Sequence, residues 1–309
     1  MKNRYLLFLV FLIVFFNFSC EKIPPPVYLY LTEEEFTDCL DNDLAKFIST
    51  HENSEIRTDE EFQIIRQHLF RDVWVSINGK SVAPWQLPCL IPLIPQYGKP
   101  NYIRVSASVR APDSELMTKE YLFVTSITQT FENLEKGDTI RLSPFKLEYV
   151  PSVAFPILDA FIQDTKFSPR DTAYNTPMVP TLDKDMKKNI GVISLSKSEP
   201  YFDVVTQYQQ MPGKGQRQYW EICYRSSNGE MVGYLGFEKL PQRNVFVLPS
   251  TKEKWKKIYF DATPEIYDAC ATASQINVRL GISGYKVDDS KEATFNFEYI
   301  RLVTMTAFY

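Results

Sequence analysis

Histidine is almost missing from this chain, with two residues, His51 and His68, in 309. So small a supply excludes a metal centre built on several imidazoles. Five cysteines are present, none in a CxxC pair, so zinc and thioredoxin-like chemistry have no support. Neither sign of charge dominates: 34 Lys+Arg against 38 Asp+Glu gives −4, which excludes a nucleic-acid binder that relies on bulk charge. At 44% hydrophobic and 14% aromatic residues the chain is too apolar for disorder. Long apolar runs are also lacking. The longest, residues 5–16, would rise only ~18 Å as a helix against a ~30 Å hydrocarbon core.

Catalytic signatures are equally scarce. Gly281-Ile282-Ser283-Gly284 lacks the glycine spacing of a nucleophile elbow. Gly213-Lys214-Gly215 has no Walker spacing and reads as a hairpin loop. Asp41-Asn42-Asp43, Asp183-Lys184-Asp185 and Asp288-Asp289 could touch Ca²⁺, but none continues into a calcium loop, and they read as solvated turns. No cofactor and no metal ligand set is therefore expected, a structural Ca²⁺ being the one ion these acidic pairs leave open. A glycosidase needs two facing carboxylates, and 38 acids supply candidates without selecting a pair.

What is present begins with an address. Lys2 and Arg4 precede the uncharged run 5–16, the layout of a secretory signal peptide. Asn17-Phe18-Ser19-Cys20 resembles the lipobox of bacterial lipoproteins, whose cysteine is acylated on sulfur and becomes the new N-terminus. Asn17 in place of the usual Leu, and the bulky Phe18, resemble the permissive lipoboxes of Bacteroidota. The expectation is a signal peptide over 1–19, lipidation at Cys20, and a Pro-rich tether over 20–30 carrying Pro24-Pro25-Pro26, an extended spacer. The alternative is a soluble secreted protein with Cys20 near the cleavage site by chance. Loss of Lys2 and Arg4 takes the net charge from −4 to −6, so anionic headgroups would not attract the body. The implied location is the outer membrane. Only Glu21 stands before Lys22, so both the periplasmic face and the cell surface remain open.

The four cysteines beyond Cys20, namely Cys39, Cys89, Cys223 and Cys270, allow three complete pairings in an oxidising compartment. They are read here as buried free thiols, which pack as small hydrophobes.

Residues 31–70 form an acidic, partly helical segment. Thr32 followed by Glu33, Glu34 and Glu35, with Phe36, Leu40, Leu44, Phe47 and Ile48 at helical spacing, predicts one helix, and Phe62, Ile64, Ile65 and Leu69 after Thr58 predict a second. From Arg71 the period shortens to two. Val73-Trp74-Val75-Ser76-Ile77 runs into Asn78-Gly79, a hairpin signal. Further strands are predicted over 103–109, 121–130 and 140–149, so that 71–152 reads as an immunoglobulin- or transthyretin-like sandwich. Pro151 to Pro156 reads as a boundary. Beyond it, strands over 190–195, 202–208, 219–225, 231–237, 255–261, 276–282 and 294–304 make 153–309 a jelly roll. The expected fold class is mostly β, two β-sandwich domains behind a short helical N-terminal segment.

The stretch Asp72-Val73-Trp74-Val75-Ser76-Ile77-Asn78-Gly79-Lys80, then Leu87-Pro88 and Ile91-Pro92, resembles a family of two-domain β-sandwich lipoproteins of Bacteroidota. The C-terminal half agrees, with Tyr219 to Tyr224, Gly233-Tyr234-Leu235-Gly236, Trp255 to Phe260 and Phe297 to Leu302 resembling strands of carbohydrate-binding-module-like, galactose-binding-like jelly rolls. Glu298 and Tyr299 stand where the last strand of such domains often carries Asp-Asn. The resemblance covers about 71–309 and implies a fold and a location but no reaction.

Aromatic residues are the remaining candidates, because flat rings stack on sugar faces. Trp220, Ile222 and Tyr224 fall on one strand face and Tyr219, Glu221 and Cys223 on the other, the first set reading as core. Trp255 reads as core as well. Tyr174, Tyr201 and Tyr208, beside loops, are the candidate ligand-binding residues, although tyrosine is common on strand surfaces. No catalytic residue is nominated. The functional expectation is a lipid-anchored, non-enzymatic envelope protein that binds glycan or a protein partner through its jelly roll. The alternatives are a structural or accessory subunit of an envelope or secretion complex, and a glycan- or peptide-acting hydrolase.

Overall fold

The computed structural model describes residues 24–36, 40–51, 56, 58–68, 70–111, 114–171, 176–213, 216–270 and 275–305. The expected leader, Cys20, Cys39 and Tyr174 fall outside them. Among the described residues the chain is mostly β, with twenty strands in four sheets and three short helices.

The N-terminal half is built on two facing sheets. β1 (Val27–Leu31) is central in a three-stranded sheet, between antiparallel β4 (Cys89–Leu93) and parallel β8 (Thr139–Ile140). The second sheet runs β3 (Lys80–Gln86), β2 (Asp72–Ile77), β5 (Asn101–Ala111), β6 (Ser114–Glu120), with β7 (Ile127–Phe131) also on β5. Asn78 and Gly79 take φ of 51° and 77°, as a two-residue hairpin turn that follows the strand twist requires. Val27, Leu29 and Leu31 meet Val73, Val75, Val105 and Ala107 in one buried cluster. Two short helices close it. α1 (Leu44–Thr50) is capped by Asp43, which accepts from Lys46 N at 2.9 Å, and α2 (Asp59–Arg66) begins in a Thr58/Glu61 capping box.

The C-terminal half is a sandwich of two six-stranded antiparallel sheets. One holds β11 (Val179–Asp183), β12 (Lys188–Leu195), β20 (Ala293–Met305), β15 (Gln218–Ser227) and β18 (Lys256–Asp261), with β9 (Val153–Asp159) also on β20. The other holds β10 (Ser168–Pro169), β13 (Tyr201–Val205), β19 (Gln275–Lys286), β16 (Gly229–Phe237) and β17 (Arg243–Leu248), with β14 (Gln209–Pro212) also on β19. From β9 on, the chain stays within one sheet only between β11 and β12, β13 and β14, and β16 and β17, and changes sheet at every other step, the alternation of a jelly roll. Trp220, Ile222, Tyr224 and Phe295 face Phe202, Val204, Leu280 and Ile282 across the core. The opposite face of β15 and β20 is buried too. Tyr219, Cys223, Tyr299 and Val303 there join the N-terminal cluster.

Several expectations from sequence change. Val27–Leu31, which overlaps the expected tether over 20–30 at residues 27–30, is a strand with Val27, Leu29 and Leu31 fully buried; its alternation wins over the prolines that precede it. No helix starts at Thr32. Glu35 instead accepts from Thr32 N and Oγ1 at 2.7 and 3.1 Å in a tight turn, and the helix waits for Asp43. The expected strand over 121–130 is irregular up to Ser126, while Ser114–Glu120 pairs with β5. Over 140–149, which carries Pro144, only Thr139–Ile140 and two isolated bridges form. Pro156 lies within a strand rather than at a break, at the point where the β9–β20 register shifts between Leu302 and Thr304, where a missing N–H leaves no ladder bond unmade. Trp255 is half-buried at the mouth of a cleft, under the Arg225 guanidinium at 4.8 Å, rather than in the core. Cys89 and Cys223 are free thiols, as expected, although Cys89 is only half-buried.

Candidate ligand-binding face

The outer face of the β10-β13-β19-β16-β17 sheet is where exposed rings and charges come together. Strand alternation sends Phe202 and Val204 of β13 inward, so Tyr201 and Asp203 point out. On β19 the same alternation places Tyr285, Ser283, Gly281 and Arg279 outward, opposite inward Leu280 and Ile282. The register then sets rows across the strands. Tyr201 pairs with Tyr285, and Tyr285 with Glu230 of β16. Tyr201 and Tyr285 are 54% and 40% exposed, and the Tyr285 hydroxyl donates to Glu230 at 2.7 Å, which raises the tyrosine above its ordinary pKa.

Two glycines let large side chains lie flat in the middle of this face. A Cβ on Gly281 would sit 2.0 Å from the Tyr234 ring, and one on Gly236 would sit 2.9 Å from Arg279 Nε; only hydrogen there leaves room. Tyr234, buried against the sheet, donates its hydroxyl to Asp203. Arg170 closes on the same carboxylate at 3.2 Å and donates to Gln242 at 2.8 Å. Burial pushes the Asp203 carboxyl up, while Tyr234 and Arg170 oppose that shift. Arg279 covers the Tyr208 ring at 4.8 Å, and its Nε has no hydrogen-bond partner among the described residues. Tyr208 is itself 40% exposed.

Of the three tyrosines singled out from sequence, Tyr201 and Tyr208 stand at opposite ends of this one face, and Tyr174 lies outside the described residues. From Tyr285 to Arg279 the face extends six residues along β19, ~20 Å at ~3.3 Å per residue. Sequence reading did not find Arg170, Asp203, Tyr234, Arg279 or Tyr285. The alternation over Gln275–Lys286 was a usable signal for Tyr285 and Arg279, and glycines inside two strands were a signal for close approach.

Two other polar groupings are closed. His51 stacks on Phe47 at 4.2 Å and bonds the carbonyls of Phe47 and Val150 at 3.0 Å each, holding α1 in place. Between the two halves, Arg301 and Glu221, both without solvent exposure, pair through Arg301 Nε and Nη2 at 2.8 and 2.5 Å. Arg301 also donates to Ile64 O at 2.8 Å and lies 3.1 Å from His68 Nε2; Tyr121 donates to Glu221. Burial, then Arg301 and Lys257, hold His68 well below the usual histidine pKa. Glu298, at the position the resemblance gave to Asp, pairs with Lys188 at 2.6 Å and accepts from Cys223 Sγ at 2.9 Å. Among the described residues no three His, Cys, Asp or Glu side chains converge as a metal site.

No protein-family profile and no curated protein sequence matches the chain. Solved structures resemble it only in part. The carbohydrate-binding module TmCBM61, in complex with β-1,4-galactotriose, is 8% identical at a TM-score of 0.29, over 44% of this chain and 86% of that one. A structure from work on endo-acting O-glycanases of the human gut microbiota is 9% identical at 0.31, over 49% of this chain and all of the other. The glycoside hydrolase domain of Endo-D from Streptococcus pneumoniae R6 is 11% identical at 0.25, and this chain spans 18% of its length.

Proposed function

We propose that this protein is a lipid-anchored, non-enzymatic binding protein of the outer membrane that holds a glycan chain across the outer face of β13, β19 and β16. The observation that carries the reading is the geometry of that face. Tyr201 and Tyr285 are exposed side by side at one end, Tyr208 lies under Arg279 at the other, and Asp203 with Arg170 sits between them. Exposed rings offer flat apolar surface to the C–H faces of sugars, and a carboxylate and guanidinium offer fixed hydrogen-bond geometry to hydroxyl groups. A run of ~20 Å suits an extended chain of several sugars rather than a single small molecule. Asp203 is already engaged by Tyr234 and Arg170, which suits a binding group better than a proton donor. The lipid at Cys20, the membrane as its partner, and the short Pro-rich link before Val27 complete the reading: the anchor holds the jelly roll near envelope glycans, and nucleic acid has no part in it.

A glycan array and polysaccharide pull-down with the full-length chain in detergent, beside a Tyr201→Ala/Tyr208→Ala/Tyr285→Ala variant, tests this. Selective binding that disappears in the variant is the expected result. Retention of binding by the variant, or failure to bind any glycan, overturns it. Metabolic labelling with a clickable fatty acid, lost on Cys20→Ala, tests the anchor separately.

A further inference from the structure

A second concave site lies on the other side of the molecule, where the N-terminal half meets β18. Arg71 and Asp72 at the start of β2, residues 108–111 at the end of β5, and Trp255 to Tyr259 enclose a cleft of about 240 Å³. Its charge runs against that of the whole chain. Arg71, Arg110, Lys256 and Lys257 line it with one carboxylate, Asp72, although the protein carries −4 overall. That carboxylate is already committed: Arg110 Nε and Nη2 grip its two oxygens at 2.7 Å each. Arg71, Lys256 and Lys257 have no carboxylate within salt-bridge distance among the described residues.

One further observation points to a ligand. Ser108, 1% exposed and lining the cleft, has a buried hydroxyl with no hydrogen-bond partner among the described residues. A buried hydroxyl left unpaired costs stability, and a bound acceptor would satisfy it. Lys257 is turned inward instead, donating to Gln67 O; burial first, then Arg301, pushes it down to about 7 against the opposing pull of Glu221 and Glu298. The remaining wall is aromatic, with half-buried Trp255 held under Arg225.

We infer that this cleft binds an acidic saccharide, its carboxylate or sulfate set among Arg71, Lys256 and the Ser108 hydroxyl, and its ring against Trp255. The cleft is separate from the β13–β19 face and does not depend on that face's function. The shared chemistry is an oxyanion on a sugar ring, with uronate and sulfate ester as its two sources.

Isothermal titration calorimetry on the full-length protein in detergent tests the assignment with four probes: a trigalacturonate, a sulfated chondroitin disaccharide, neutral galactotriose and inorganic sulfate. At least one acidic probe should bind, and more weakly as salt rises. Arg71→Ala/Lys256→Ala, two changes on the cleft rim, should weaken it about tenfold or more without altering the melting temperature. The preferred acidic probe decides between uronate and sulfate. Unchanged affinity in Arg71→Ala/Lys256→Ala overturns the site. Inorganic sulfate binding as tightly as the sugars would overturn the saccharide and leave a simple anion site.

Discussion

Nearly the same polar trio lies against the outer face of each sheet of the jelly roll and is used differently. Tyr121 of the N-terminal half donates to Glu221 of β15, which is paired with Arg301 of β20. On β13 and β16, Tyr234 donates to Asp203, which is paired with Arg170. The first trio is sealed under the N-terminal half, with Arg301 and Glu221 fully buried. In the second, Tyr234 and Asp203 are buried as well, but Arg170 is one-third exposed and the exposed Tyr201 and Tyr285 lie on the same face. Residue type does not separate a fastening from a binding surface here; what covers the strand does.

The sharpest way to break the comparison is to remove one charge from each trio. Arg301→Ala leaves Glu221 buried and unpaired, and the protein should lose about 3–5 kcal/mol in chemical denaturation. Replacing both partners, Arg301→Met with Glu221→Met, should recover most of that loss, since an apolar pair has no charge to desolvate. Arg170→Ala exposes Asp203 to water instead and should cost under ~1 kcal/mol. Equal losses at the two sites would dissolve the distinction.

Leu29→Ala asks whether the covering half is a folded body from its first strand. Leu29 is fully buried in β1 between Ile91 of β4 and Ile140 of β8, so the cavity should cost about 2–5 kcal/mol. A loss under ~0.5 kcal/mol would return residues 27–31 to a flexible tether.

Acid sharpens the contrast further. His68 is held neutral in the fold by burial, then by Arg301 and Lys257, whereas the unfolded chain protonates it below about 6.5. The unfolded state therefore binds the extra proton, and stability falls as pH drops below about 6.5, by at most ~1.4 kcal/mol per pH unit for one group. His68→Gln should flatten that slope in melts run between pH 7 and 5. Asp203 has the opposite sign. Its raised pKa means that the fold holds the proton longer than the unfolded chain does, so lowering the pH from the folded value toward ~3.9 gains stability from this group.

Much of this architecture was legible because strand alternation is local. Gln218–Ser227 separated Trp220, Ile222 and Tyr224 from Tyr219, Glu221 and Cys223 correctly. The same pattern could not show that the second set is buried as well, because what buries it arrives from residues 64–155. Val27–Leu31 alternates as plainly as any strand, yet three prolines in front of it argued for a tether. At the candidate face, Tyr201 and Tyr208 could be seen as aromatics near loops. Arg170, Asp203, Tyr234 and Arg279 could not be grouped, since they meet only through the pairing of β13, β19 and β16.

The smallest expected effect on stability is also the most informative about function. Tyr201 and Tyr285 are neighbours across the strands and are 54% and 40% exposed, so Tyr201→Ala/Tyr285→Ala should shift unfolding by about 0.5 kcal/mol or less, the usual size for surface changes. The same pair should carry much of the glycan affinity, because flat exposed rings are what a sugar face can stack on. Stability that stays level while binding falls would mark the open face as a surface kept for a ligand. Stability that falls together with binding would mean that these rings brace the sheet, and the two faces of the jelly roll would then differ in degree rather than in kind.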